Sequence, residues 1–157
     1  MLTTRISLSS AAPDVYRALD ALDDSVDFDA SLIELIRIRA SQINGCSYCI
    51  DYHSRDARRK GEGERRIWAL SAWRETPFFE DRERAALALT EAMTRLPESG
   101  VPDEVYADAA LHFPDRELGN LIGAIIAINA WNRVGVGTAL SPPQEVRSPG
   151  AAALTGP

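Results

Sequence analysis

An Asn44-Gly45 pair separates two segments with helical periodicity and constrains how the chain can fold. The segment before the pair, from Leu32 to Ile43, carries apolar residues at helical spacing, and a Cys-x-x-Cys pattern begins directly after it at Cys46. Glycine ends helices readily because it adopts positive φ angles without steric strain. The sequence therefore predicts two consecutive helices that fold back on each other as a hairpin.

The geometry of this hairpin predicts four chemically active side chains along one seam. Glu34 precedes Gly45 by eleven residues and His53 follows it by eight, an offset of three residues, which is roughly 4.5 Å at 1.5 Å per residue. Cys49 lies one helical turn before His53, and Cys46 about one turn further. The predicted order along the seam is carboxylate, imidazole, thiol, thiol.

A dithiol next to a base is typical of a redox centre, because the thiolate is the nucleophile. The helix dipole near Cys46 and a relay from Glu34 through His53 predict a lowered pKa for the Cys49 thiol. Two structural alternatives remain open at this point. The cysteines could be inert buried thiols, or Cys46, Cys49, His53 and Glu34 could supply four ligands to zinc.

The rest of the sequence predicts helices and no strand. Capping residues, prolines and glycines set the boundaries, and the predicted helices cover residues 13–22, 32–43, 46–60, 64–73, 81–96, 103–112 and 115–140. The predicted fold class is therefore all-α, a single domain over residues 1–140 with six to seven helices and the CxxC at the start of a central helix. Residues 141–157 are rich in Pro, Gly, Ala and Ser and are predicted to form a disordered tail.

The last predicted helix is apolar around most of its circumference, which predicts burial against a second copy of the chain. Its large apolar residues are Leu118, Leu121, Ile122, Ile125, Ile126, Ile128 and Trp131.

Composition excludes several classes of partner and location. The net charge of −6, from 17 basic and 23 acidic side chains, argues against nucleic acid and against anionic membranes as partners. The most apolar stretch, Leu121–Trp131, is too short to span a bilayer, and residues 1–13 contain no apolar run of the kind found in signal peptides. We therefore expect a cytoplasmic protein, in a reducing compartment where a CxxC is more often catalytic or metal-binding than structural.

The register Glu34, eleven residues, Cys46-x-x-Cys49, three residues, His53 resembles that of the alkylhydroperoxidase D-like, carboxymuconolactone decarboxylase-like family. The segments ELIRIRASQINGCSYCIDYH and AIIAINAWNRVGVGT are both similar to the family's core. The resemblance implies an AhpD-like helical fold, a homo-oligomer (dimer, trimer or hexamer), and no metal or organic cofactor. One departure is the Ser47-Tyr48 pair between the cysteines, where alkylhydroperoxidase D itself has a histidine.

The resemblance also implies roles for the four residues of the seam. Cys49 corresponds to the peroxidatic cysteine, Cys46 to the resolving cysteine, and His53 with Glu34 to the proton relay. The implied function is a thiol-dependent peroxidase whose partners are a peroxide and a cellular dithiol donor. The alternatives are a carboxymuconolactone-type decarboxylase, against which the cysteine pair argues, and a redox-sensing or thiol-transfer module.

Overall fold

The computed structural model describes residues 5–144, and within them the chain is built from helices alone. Eight α-helices and one 3-10 helix follow one another, which confirms the all-α fold class. The α-helices are α1 (Leu8–Ala11), α2 (Pro13–Asp24), α3 (Leu32–Asn44), α4 (Ser47–Arg59), α5 (Glu64–Ala69), α6 (Asp81–Arg95), α7 (Asp103–His112) and α8 (Asp115–Gly137), and the 3-10 helix covers Leu70–Glu75.

Helix α3 lies at the centre of the fold. Nine of its thirteen residues are buried, and α4, α6 and α8 all pack against it. The CxxC stands at the start of α4, as predicted, but α3 is the helix that its neighbours surround. The residues of α4 that face α3 include Cys49, His53 and Ala57, which are all buried. The chemically active side chains of α4 therefore point into the protein.

Local signals set the two ends of α3 and the start of α4. The Asp29 carboxylate accepts hydrogen bonds from the backbone N–H groups of Ser31 and Leu32, at 3.1 and 2.7 Å. Gly45 has φ +69° and ends the helix in the left-handed conformation. Cys46 follows as the N-cap residue of α4. The turn that the sequence predicted thus places the first cysteine at a helix N-terminus.

The helix predicted over residues 64–73 is two elements in the structure. It changes from α5 to the 3-10 helix at Leu70, and Ala72 has non-helical angles of φ −121° and ψ 34°. Leu70 and Trp73 are both buried, and a 3-10 helix superimposes residues three apart on one face. Burial of these two side chains against the core therefore outweighs the continuous α-helical pattern.

Polar side chains of α8 bind the C-terminal end of α3. Asn44 donates from Nδ2 to the Oδ1 atoms of Asn129 and Asn132, both at 2.9 Å. Asn132 is 1% exposed, and its Nδ2 donates to Ser41 Oγ at 2.9 Å. These bonds satisfy buried amides, as buried polar groups require, and they hold α8 beside the turn that carries the cysteines.

Within the single chain, helix α8 is buried on one side and partly exposed on the other. Leu118, Leu121, Ile125 and Ile128 are buried, whereas Ile126 is 50% exposed on the opposite side. None of the helices within residues 5–144 is long and apolar enough to cross a membrane. Residues 141–144 form no helix, and the remainder of the predicted tail, residues 145–157, lies outside the described part of the chain.

Candidate active site

Glu34 and His53 meet across the α3–α4 hairpin. Glu34 Oε2 lies 2.8 Å from His53 Nδ1, and the Glu34 side chain is completely buried. The carboxylate comes from the first turn of α3 and the imidazole from the middle of α4. The offset counted from Gly45 in the sequence therefore predicts this contact correctly.

Two cations share the Glu34 carboxylate with His53. Oε1 accepts hydrogen bonds from Lys60 Nζ at 2.7 Å and from Arg37 Nη1 at 3.0 Å. Burial alone raises the pKa of Glu34, but the hydrogen bonds from His53 and Lys60 and the nearby positive charges outweigh it and lower the pKa to about 2. Glu34 is therefore ionised at neutral pH, although it is buried.

An ionised Glu34 fixes the role of each ring nitrogen of His53. A carboxylate only accepts hydrogen bonds, so Nδ1 is the nitrogen that carries the proton and donates it to Oε2. In the neutral ring the lone pair is then on Nε2, the nitrogen that remains free to accept a proton. Oriented in this way, His53 can act as a general base.

The two cysteines differ in their access to the site. Both are free thiols, and Cys46 is 2% exposed while Cys49 is 6% exposed. Cys46 Sγ accepts a hydrogen bond from the backbone N–H of Cys49 at 3.4 Å, so the first cysteine caps the helix that carries the second. Cys49 lines a cavity from which Cys46 is absent. Cys49 is therefore the cysteine that a small molecule reaches first.

The prediction of a lowered Cys49 pKa is wrong for the reduced protein. Burial and the neighbouring Cys46 thiol raise the pKa of Cys49 to about 12, against a smaller lowering effect of a hydrogen bond with Asn132. No direct hydrogen bond joins His53 to either sulfur within residues 5–144. The thiol is therefore protonated at rest, and its proton must be removed when a substrate enters.

The cavity beside Cys49 has a volume of about 240 Å³. Its walls come from α2, α4, α8 and Leu140 just after α8, and they include His53 as well as Cys49. Tyr48 and Tyr52 of α4 both line this cavity. Trp131 of α8 lines it as well.

Sequence reasoning missed the contributions of α2 and Gly135. Tyr16, Asp20 and Asp23 of α2 line the cavity, although nothing in the sequence connects that helix with the CxxC. A Cβ atom on Gly135 would lie 2.7 Å from Cys46 Sγ and 3.6 Å from Cys49 Sγ. The α8 backbone thus lies against both sulfur atoms, and a side chain at this position would collide with Cys46 Sγ.

The candidate metal ligands that lie together in the structure differ from the four that the sequence suggested for zinc. Ligand atoms of Glu34, His53 and Asp56 lie within 4.8 Å of one another, and the cysteines are not part of this group. Lys60 and Arg37 already neutralise Glu34, and Arg59 forms an ion pair with Asp56. Cations that occupy the carboxylates favour an ion-pair cluster over a metal centre at this position.

Comparisons with known proteins agree with the family that the register resembles. A model of the carboxymuconolactone decarboxylase family matches residues 13–92. The chain is similar to the uncharacterized protein YdfG of Bacillus subtilis (strain 168), with 38% identity over 138 residues that cover 86% of this chain and 94% of that protein. The matched family segment contains the whole α3–α4 hairpin.

Solved structures share the fold. A protein of unknown function from Agrobacterium tumefaciens, named as a candidate antioxidant defence protein AhpD, has 39% identity and a TM-score of 0.87, covering 91% of this chain and all of that one. The debrominase Bmp8 has 22% identity and a TM-score of 0.74, covering 85% of this chain and 74% of that one. At that identity, the second likeness concerns the fold alone.

We expect a Gly135→Ala substitution to disturb the dithiol. The new methyl group must displace Cys46 Sγ or the α8 backbone, and overpacking of this kind destabilises a protein by about 1–3 kcal/mol. Displaced sulfur atoms should also form a disulfide more slowly. Thermal unfolding and the rate of thiol loss under mild oxidation measure the two effects.

Gly119→Ala on the same helix is the matched control, because its added Cβ would meet no atom within 4 Å beyond the adjoining residues and the backbone of its own helix. That variant should be as stable as the parent or up to about 1 kcal/mol more stable, since alanine favours helix over glycine. Equal stability and equal oxidation rates in the two variants would show that α8 does not constrain the cysteines.

Proposed function

The chain belongs to the carboxymuconolactone decarboxylase family, and on that premise we propose that it is a thiol-dependent peroxidase of the alkylhydroperoxidase D type. One observation carries the proposal. Cys49 and His53 open onto the same cavity, while Cys46 lies behind Cys49 at hydrogen-bonding distance from its backbone. A nucleophile, a base and a second thiol are thus arranged in the order in which a peroxidase cycle needs them.

The proposed cycle begins with proton transfer. His53 Nε2 takes the Cys49 proton, directly or through a water molecule, and the thiolate attacks the terminal oxygen of the hydroperoxide. The S–O bond forms as the O–O bond breaks, so that Cys49 becomes a sulfenic acid. The departing alkoxide receives the proton from His53 and leaves as the alcohol.

Cys46 then closes the cycle. Its sulfur attacks the sulfur of the sulfenic acid, an S–S bond forms, and hydroxide leaves with the Cys46 proton as water. A cellular dithiol donor reduces the disulfide to two thiols and is itself oxidised to a disulfide. The net reaction consumes one hydroperoxide and two donor thiols and yields an alcohol, a water and a donor disulfide.

Glu34 acts through His53 in this proposal. Its negative charge holds the Nδ1 proton in place and stabilises the imidazolium that forms when Nε2 accepts the Cys49 proton. Lys60 and Arg37 hold the carboxylate in its ionised form. Glu34 is therefore a positioning residue, and Cys49, Cys46 and His53 are the residues proposed to touch reacting atoms.

We expect peroxide turnover to depend steeply on the seam residues. With a dithiol donor, Cys49→Ser should abolish turnover, and His53→Gln should lower it by about 10²–10⁴-fold, the usual contribution of a general acid or base. Glu34→Gln should lower it less and shift its pH profile, because it removes the negative charge beside the His53 ring. Continuous assays of hydroperoxide loss measure all three effects.

His112→Gln provides the control, since the second histidine lies on α7 and its side chain is 31% exposed, away from the cavity. Equal losses in His112→Gln and His53→Gln would contradict the assigned role of His53. One oxidation per subunit without turnover would instead favour a redox-sensing module.

We also propose that the protein is a homo-oligomer. Helix α8 presents two outward aliphatic side chains one turn apart, Ile122, which is half-buried, and Ile126, which is 50% exposed. Exposed aliphatic residues at helical spacing are typical of contact with another subunit.

Light scattering at micromolar concentration should therefore give at least twice the 17.2 kDa of one chain. Ile126→Lys should weaken the assembly, because it places a charge in the contact, whereas Leu111→Lys, on the exposed side of α7, should not. A parent protein with the mass of a single chain would refute the oligomer.

A further inference from the structure

The cavity beside Cys49 is much larger than hydrogen peroxide requires. It measures about 240 Å³, whereas about 10–15 Å³ of the same kind of space is enough to hold one water molecule. Hydrogen peroxide is only slightly larger than water. The excess volume indicates a substrate with a substantial organic group attached to the peroxide.

Four aromatic side chains line the cavity, together with the aliphatic side chains of Val134 and Leu140. The aromatic residues are Tyr16, Tyr48, Tyr52 and Trp131. Tyr16 and Trp131 pack edge to face with ring centroids 5.1 Å apart, and Tyr48 and Tyr52 stack at 6.3 Å. The hydroxyl groups of the three tyrosines make no hydrogen bond within residues 5–144. Rigid rings with free hydroxyl groups favour a planar, apolar ligand that carries one polar group.

The formal charges on the cavity wall are all negative. Asp20 and Asp23 of α2 line it, and no lysine or arginine does. Arg37 pairs with Asp23 at 2.8 Å and also binds Glu34, so that cation is already engaged. Asp20 is exposed and has no ion pair within the described residues. The remaining titratable side chains of the wall are those of His53, Cys49 and the three tyrosines. An anionic ligand would therefore meet a like charge with no cation to compensate it.

We propose that the substrates are aromatic hydroperoxides that carry no negative charge, and that Asp20 excludes anionic hydroperoxides. The inference rests on the proposed peroxidase function and specifies its substrate class. In the reaction, Cys49 takes the terminal oxygen and becomes a sulfenic acid, the O–O bond breaks, and the aromatic alcohol leaves with the proton that Cys49 gave up. Aromatic contacts orient the organic group so that the peroxide points at Cys49 Sγ.

Three hydroperoxides separate size, aromaticity and charge. Cumene hydroperoxide is neutral and aromatic, and tert-butyl hydroperoxide is neutral and aliphatic. The third compound, called the para-carboxylate below, is cumene hydroperoxide with a carboxylate at the para position of the ring, which adds one negative charge. We expect Cys46–Cys49 disulfide formation in single-turnover mixing to be fastest with cumene hydroperoxide. The para-carboxylate should react about five- to tenfold more slowly, the effect of one like charge a few ångströms away in partly solvated space.

Variants of α2 test the charge argument. Asp20→Asn should reduce the discrimination between cumene hydroperoxide and its para-carboxylate by most of that factor. Asp24→Asn removes the same charge from the same helix outside the cavity lining and should leave the ratio of the two rates unchanged. If the ratio of the rates with cumene hydroperoxide and its para-carboxylate is the same in the parent and in Asp20→Asn, the charge argument is overturned.

Variants of the aromatic wall test the second half of the proposal. Tyr16→Leu and Trp131→Leu should each lower the rate ratio of cumene hydroperoxide to tert-butyl hydroperoxide. Tyr16 lies on α2, which has no buried residues, so Tyr16→Leu should leave the fold intact. The test can therefore still be made if Trp131→Leu fails to fold. A ratio near one in the parent protein would overturn the preference for aromatic substrates.

Protection of Cys49 by a product separates this inference from the proposed function. Cumyl alcohol, the product of cumene hydroperoxide, should slow alkylation of Cys49 by iodoacetamide, and its para-carboxylate should protect less. This protection in a protein that consumes no peroxide would refute the peroxidase and support the ligand class. Turnover of all three hydroperoxides at equal rates, or absence of any protection, would refute the ligand class.

Discussion

The buried Glu34 carboxylate is the interaction on which the rest of the site depends. A charge without exposure to water is strongly unfavourable unless it is paired. Arg37 of the same helix, His53 of α4 and Lys60 just after α4 supply the partners, at 2.7–3.0 Å. Because these partners come from both arms of the hairpin, the carboxylate sets the register of α3 against α4. The same contacts orient the imidazole, which lines the same cavity as Cys49.

Helix α8 supplies a second constraint that acts on the sulfur atoms. Asn132 bridges Ser41 and Asn44 near the end of α3, and Gly135 lies one turn further along α8, directly over the cysteines. The amide bonds fix the distance between α8 and the turn, and the glycine makes that distance short enough to cover Cys46. The dithiol is thus enclosed between a helix N-terminus and a backbone surface, which explains its low exposure and the raised pKa of Cys49.

Short-range features of the sequence predicted the hairpin and its seam. Gly45, the spacing of the cysteines and the helical periodicity around them are local signals, and together they place Glu34 opposite His53. The cations that pair with Glu34 were harder to predict from the sequence. Lys60 follows Arg58 and Arg59 at the end of α4, where the helix dipole favours any basic residue. Only the pairing of α3 with α4 brings it to the carboxylate.

Long-range packing accounts for what the sequence could not predict. Tyr16 and Asp20 reach the site because α2 packs across α8, and no spacing rule connects residues that lie so far from the CxxC. The pKa of Cys49 failed as a prediction for a related reason. The helix dipole and the nearby histidine were apparent in the sequence, but burial and the proximity of the Cys46 thiol are properties of the folded chain.

The central claim is that Cys46 and Cys49 form one redox unit that a hydroperoxide oxidises. Mass spectrometry of the intact protein after treatment with one equivalent of cumene hydroperoxide tests it most directly. The account predicts the loss of two hydrogen atoms, a Cys46–Cys49 disulfide in the peptide map, and no thiol left for alkylation. Two cysteines that remain fully alkylatable after this treatment would contradict it.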